Sequence, residues 1–214
     1  MNVRWRGDRA VLVTVNDAQT REQLADALHQ NLVVLGDDAE LRRGMQHVLV
    51  EVSAPDPDLL RRVEEQVRLN TDQPHAGSPI GHTHRIPVRY DGTDLADTAS
   101  ALDVTVPDLV SAHSAQRWRV AMIGFAPGFA YLEPFEALVL DWSGLQRRTT
   151  PRPRVPRGSV ALAAGMSAVY PSPMPGGWHL IGTSDAVLFD VERPSAPSLL
   201  APGDLVIFED VTSR

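Results

Sequence analysis

Five arginines, Arg147, Arg148, Arg152, Arg154 and Arg157, fall between residues 142 and 184, a stretch without a single acidic residue. On an extended segment Arg148, Arg152 and Arg154 would turn to one side. The interleaved Pro151, Pro153 and Pro156 would stiffen that segment. A planar guanidinium offers two N–H groups at once, which suits a carboxylate or a phosphate. Arg152 and Arg154 are therefore candidates for catalytic contact with an anion, and Arg148 for binding it. A solvated basic edge strand accounts for the same pattern.

Two loops flank this stretch. The first is GFAPGFAYL at 124–132. Gly124, Pro127 and Gly128 constrain the backbone, and Phe125, Phe129 and Tyr131 could wall a pocket. A buried turn that packs its aromatics inward fits equally well. The second is YPSPMPGGWHLIG at 170–182. Gly176-Gly177 signals a turn before a strand, on which Trp178 and His179 would face opposite ways. Either could face a ligand, or Trp178 could be core and His179 rim.

His113 closes a predicted helix just before the first loop. Its unperturbed pKa near neutrality makes it a candidate general base. A histidine at a helix C-terminus interacting with the dipole is the alternative. His82 and His84 alternate along one strand face with His75 nearby, but no carboxylate completes a metal-ligand spacing, and no metal site is expected. There is neither a G-x-S-x-G elbow nor an H-E-x-x-H pair.

Composition narrows the chemistry. The net charge of −7 argues against nucleic-acid partners. All basic residues are arginine. Without lysine there is no P-loop, no lysine Schiff base and no lysine-attached biotin or lipoate. Cysteine is absent, which removes disulfides, thiolate nucleophiles and cysteine metal sites. Nothing then points to an oxidising compartment, so a cytoplasmic location is expected. No apolar run reaches the roughly 18–20 residues of a membrane span.

The elements that must position these residues are readable in outline. Residues 11–15 read as a strand, and Asp17 could cap a following helix with Leu24, Ala27, Leu28, Asn31 and Leu32 on one stripe. Residues 48–52 read as another strand. Asp56-Pro57-Asp58 opens a helix with Leu59, Leu60, Val63 and Val67 on one side. With a strand around residues 86–88 this makes a small α+β unit. The polar, Pro/Gly-rich segment 70–81 marks a domain boundary, dividing the chain into 1–81 and 82–214. Two short helices are expected at 93–102 and 106–113. Short β-branched runs then follow at 119–123, 159–163, 179–181, 186–191 and 205–209. Eleven of the 17 prolines lie from Pro127 onward, as a β-barrel or sandwich with many turns would require.

Three ordered motifs, GFAPGFAYL, TPRPRVPRGSVALAAG at 150–165 and YPSPMPGGWHLIG, resemble the carboxyltransferase-subdomain family. That family includes the B-type subunit of 5-oxoprolinase, subunit 1 of allophanate hydrolase, the matching region of urea amidolyase and the sporulation-kinase inhibitor KipI. GDRAVLVTV near the N-terminus and the region from HRIPVRYDG to His113 extend the resemblance over nearly the whole chain. It implies a small N-terminal α+β domain followed by a cyclophilin-like β-barrel. It also implies a homologous cyclophilin-like partner subunit, of the C type in 5-oxoprolinase or of the second kind in allophanate hydrolase. The implied activity is ATP-dependent opening of a cyclic amide, on a small carboxylate or ureido substrate, with ATP and Mg acting through the complex. A kinase inhibitor is the alternative. Ser159, inside the second motif, joins the candidate binding residues. The family pattern has Pro at Ala130 and reads AGGQTGIYP where this chain reads AAGMSAVYP. Met166 thus removes an amide, and Ala164 and Ala168 restrict backbone that glycine leaves free.

Overall fold

The computed structural model describes residues 1–36, 38–71 and 81–212. The chain divides into two compact units, Met1–Pro79 and Ile80–Arg214. Most of the polar segment read as a boundary, and His75 within it, lie outside the described residues.

The first unit contains β1 (Asn2–Trp5), β2 (Ala10–Thr14), α1 (Ala18–Gln30), α2 (Leu32–Leu35), β3 (Glu40–Arg43), β4 (His47–Glu51) and α3 (Leu59–Thr71). Its antiparallel sheet runs β1-β2-β4-β3. Alternate residues Val11, Val13, Val48 and Val50 face a core closed by Leu24 and Leu28 of α1 and by Leu59, Val63 and Val67 of α3. The Asp17 carboxylate accepts the Thr20 N–H at 2.7 Å and so caps α1. Asn31, placed by periodicity on the apolar stripe, instead ends that helix and bonds the Ala27 carbonyl through its amide.

The second unit contains β5 (Thr83–Val88), α4 (Leu95–Ala101), α5 (Val106–Ala115), β6 (Trp118–Ile123), β7 (Ala130–Pro134), β8 (Arg152–Val155), β9 (Ser159–Ala163), β10 (Met166–Val169), β11 (Met174–Gly176), β12 (His179–Thr183) and β13 (Leu205–Asp210). Seven strands form one sheet in the order β12-β9-β10-β7-β6-β13-β5, and β8 and β11 pair separately. The sheet bends until its ends nearly meet. Arg89, just past β5, and Thr183, on β12, exchange two backbone hydrogen bonds of 2.9 and 2.8 Å. Inside lie Trp118, Val120, Leu132, Val160, Leu162, Ile181, Val206 and Phe208. This is the mixed helix-and-strand, barrel-like architecture expected from the sequence.

Two expectations need correction. The strand at residues 86–88 does not belong to the N-terminal unit, because β5 pairs in parallel with β13. Residues 186–191 are not a strand. Their backbone is tied to a nearby irregular turn, with Asp190 N–H on the Pro197 carbonyl and Leu199 N–H on the Leu188 carbonyl.

Closure of the barrel needs glycine. A Cβ on Gly182 would stand 2.5 Å from the Arg89 carbonyl oxygen, and one on Gly92 would stand 2.3 Å from that of Leu180. Gly182→Ala should therefore cost about 1–3 kcal/mol in urea unfolding. Gly144→Ala, where an added Cβ meets nothing within 4 Å, should change stability by no more than about 0.5 kcal/mol.

Candidate functional site

The connection from β6 to β7 is two nested turns. Ala126 N–H donates to the Gly124 carbonyl at 2.8 Å, across Phe125 at φ 71°. That is a γ-turn of the strained, positive-φ kind. Phe129 N–H then donates to the Ala126 carbonyl at 3.0 Å, with Pro127 second and Gly128, at φ 75°, third in the turn. Proline supplies the fixed negative φ and glycine the positive one. Gly124 N–H on the Phe129 carbonyl, at 3.0 Å, closes the loop. Gly128 also lies so close to Leu188 and Phe189 that a Cβ would meet the Phe189 Cβ at 2.7 Å. The loop thus buries Phe129 and leaves Phe125 65% exposed. Phe125 combines an unfavourable backbone with an unburied ring, and such strain persists where the surroundings enforce it, often at functional sites.

The Gly-Gly-Trp turn meets this loop through aromatic rings. Phe125 stands edge-on to Phe129 at 5.4 Å, and Phe129 lies 6.1 Å from Trp178 and 5.3 Å from Tyr170. Tyr131 bridges Phe129 and Trp178 at 5.0 and 5.8 Å. Such contacts favour offset and edge geometries over face-to-face stacking. The Arg147 guanidinium sits 5.8 Å over the buried Trp178 ring, within cation–π range. Gly176 is required here, because a Cβ would be 2.1 Å from the Tyr170 hydroxyl. Burial pushes both the Tyr131 and Tyr170 hydroxyls above the ordinary tyrosine range, so both stay protonated at neutral pH. Motifs some fifty residues apart thereby form one cluster, running from Phe125 to Arg147.

The arginines do not form a uniform row. Arg148 Nη1 and Arg152 Nη2 donate to the same oxygen, Asp94 Oδ1, at 3.2 and 2.6 Å. The Leu180 N–H takes Asp94 Oδ2 at 2.7 Å. Burial alone would raise the Asp94 carboxyl pKa. The Arg152 hydrogen bond, the Leu180 N–H and the charges of Arg152 and Arg148 outweigh it and hold the group below the usual carboxylate range. Arg154 and Arg157 are exposed and have no ion-pair partner among the described residues. Asp94 is the site residue that sequence reasoning missed.

His113 is not a general base open to substrate. Its side chain is fully buried on the inner side of α5, stacked on Phe208 at 4.6 Å between ring centres. Nδ1 lies 2.8 Å from the Tyr90 hydroxyl and Nε2 2.9 Å from Ser167 Oγ. Burial lowers its pKa from 6.5 to about 3, so the ring is neutral. Ser159 is likewise buried, within β9, and does not line an open surface. Of the strand histidines, His84 bonds Asp204 at 3.0 Å, and Asp204 also accepts the His82 N–H at 2.8 Å. His179 donates Nε2–H to the Gln146 carbonyl at 2.9 Å.

The residues that depart from the family pattern have defined places. Ala164 and Gly165 form the two-residue hairpin from β9 to β10, at φ 50° and 77°. Both positions need positive φ, which favours glycine. Ala168 is fully buried, Ser167 holds His113, and Met166 packs on the aromatic cluster.

A family model described as the carboxyltransferase domain, subdomain C and D, matches residues 1–200. The B-type subunit of the 5-oxoprolinase of Escherichia coli O157:H7 is 35% identical over 184 residues, covering 85% of this chain and 82% of that protein. The crystal structure of TTHA0988 superposes with a TM-score of 0.71 at 30% identity, over 96% of this chain and 40% of that one. The Kluyveromyces lactis urea amidolyase shares the fold at 19% identity, with a TM-score of 0.72 over 98% of this chain and 15% of that one.

The buried His113 makes stability pH-dependent. Its folded pKa is depressed, so its contribution is complete above about pH 6.5 and lost as pH falls toward 3. Between pH 7 and about pH 4.5 the wild type should lose about 2–3 kcal/mol more than His113→Gln in urea titrations, since glutamine takes up no proton. A separate substitution, Ala164→Gly, should stabilise the chain by about 0.5–1 kcal/mol by relieving the left-handed alanine. Thermal melts would read that gain.

Proposed function

The chain belongs to the carboxyltransferase-domain, subdomain C and D family, and from that premise we propose that it is a B-type subunit of an ATP-dependent 5-oxoprolinase or a closely related cyclic-amide hydrolase. The observation that carries this reading is the 35% identity to the B-type subunit of the Escherichia coli 5-oxoprolinase over 85% of the chain. The convergence of the Gly124–Gly128 loop and the Gly176–Trp178 turn on one aromatic cluster supports it. The catalytic unit is completed by a homologous barrel subunit. The substrate is a small carboxylate or ureido acid, for which the guanidiniums and aromatic rings provide charge and a wall.

The donor set suits the anionic part of ATP as well. Arg154 and Arg157 are exposed and free of ion pairs among the described residues, and arginine recognises phosphate oxygens through its fork. ATP, with Mg²⁺, supplies the free energy for opening the amide once the complex is assembled.

Co-purification with a C-type partner subunit should give ATP hydrolysis stimulated by 5-oxoproline. Phe125→Ala should lower kcat/KM at least tenfold while leaving the circular dichroism unchanged, and Arg154→Ala should act in the same direction. Absence of stimulated turnover with 5-oxoproline, allophanate and related lactams would sink the reading.

A further inference from the structure

On the two guanidiniums that hold Asp94, the buried Arg148 Nε and Arg152 Nη1 have no hydrogen-bond partner among the described residues, and neither has His179 Nδ1, one residue before Leu180. The two guanidiniums carry two positive charges, and Asp94 carries one negative charge held between them. Asp94 Oδ1 is shared by both arginines and Oδ2 is occupied by the Leu180 N–H, so this carboxylate has nothing left for the remaining donors. The local balance is one positive charge in excess, with two further buried N–H groups on guanidiniums that grip one oxygen. Buried donors in native proteins are as a rule satisfied. A surplus of both charge and donors in one place asks for an oxyanion.

His179 adds an opposite demand. Its Nε2–H is committed to the Gln146 carbonyl, so in the neutral ring Nδ1 is an acceptor. His179 directly precedes Leu180, which holds Asp94, and Gln146 lies two residues before Arg148. The guanidiniums therefore offer donors for an anionic oxygen, and the residue next to Leu180 offers an acceptor for an N–H.

We propose that Arg148, Arg152 and His179 form a receptor for a carboxylate carrying a neighbouring amide N–H, and that Asp94 is its positioning residue. The proposal rests on the reading that this chain serves an amide-acid substrate. Asp94 touches no ligand; it fixes the two guanidiniums so that their free N–H groups stay turned toward one place. The aromatic cluster and exposed Arg147 belong to the same turn, since the Arg148 N–H donates to the Gly177 carbonyl at 2.7 Å.

The test is made on this chain alone, so a missing partner subunit cannot confuse it. N-acetylglycine, acetate and inorganic phosphate are titrated at constant ionic strength by calorimetry, and the arginine Nε–H resonances of isotope-labelled protein are followed. N-acetylglycine should bind saturably and more tightly than acetate, and should shift the Arg148 Nε–H signal. Arg152→Gln and Arg148→Lys should each weaken it at least tenfold, and His179→Phe should erase its advantage over acetate. Arg61→Gln, on the exposed face of α3, should bind as wild type does. Asp94→Asn should weaken N-acetylglycine although it adds net positive charge, an outcome that a purely electrostatic patch would reverse. Phosphate that shifts the Arg148 Nε–H signal at a lower concentration than either carboxylate overturns the proposal. So does equal weakening in Arg61→Gln, or the lack of any shift of the Arg148 resonance in the wild type.

Discussion

One buried carboxylate ties the second unit together. Asp94 accepts from Arg148, Arg152 and the Leu180 N–H, and its own N–H donates to the Leu180 carbonyl at 2.9 Å. It thereby joins the approach to α4, the arginine segment, β8 and β12. A carboxylate buried to 3% exposure is costly unless it is paired and fully hydrogen-bonded, and this one is both. The arginine segment owes its course to that anchor. Without it, two cations would face each other across a turn with nothing between them.

Regular elements were legible because they rest on local pattern. The Asp17 cap, the stripe of Leu59, Val63 and Val67, and the Pro107 start of α5 each have a short-range physical cause. The Gly-Phe-Ala-Pro-Gly loop was legible for the same reason, since proline and glycine declare their φ angles in advance. What was not legible depends on tertiary neighbours. His113 looks identical in sequence whether it faces water or Phe208. Residues 186–191 carry a strand's β-branched character but find no strand beside them.

Asp94 was hidden for a different reason. It occupies the position preceding α4 where a capping residue is expected, yet its side chain makes no cap bond with the helix. Read locally, its carboxylate belongs to the helix; in space it belongs to two arginines more than fifty residues away. The arginine stretch holds no acidic residue of its own because its counter-charge comes from another part of the chain. Ala164 shows the reverse case. The comparison with the family's glycine flagged a backbone constraint, and the chain does hold that alanine at φ 50°.

The strand order also governs the sequence of events in which this molecule can form. β13 lies between β5 and β6, and its partner β5 is about 120 residues earlier in the chain, pairing Leu205 with Thr83 and Asp210 with Val88. Loop-closure entropy must be met before such a contact stabilises anything, so pairings of this reach make folding slow. On a ribosome the first strand of the sheet would wait, without its strand partner, until residue 210 had emerged. The first unit needs no such delay, since its four strands and three helices find their partners within the first seventy-odd residues. Synthesis would therefore yield a finished N-terminal unit attached to a half-built sheet, the species on which a chaperone or an early partner would act.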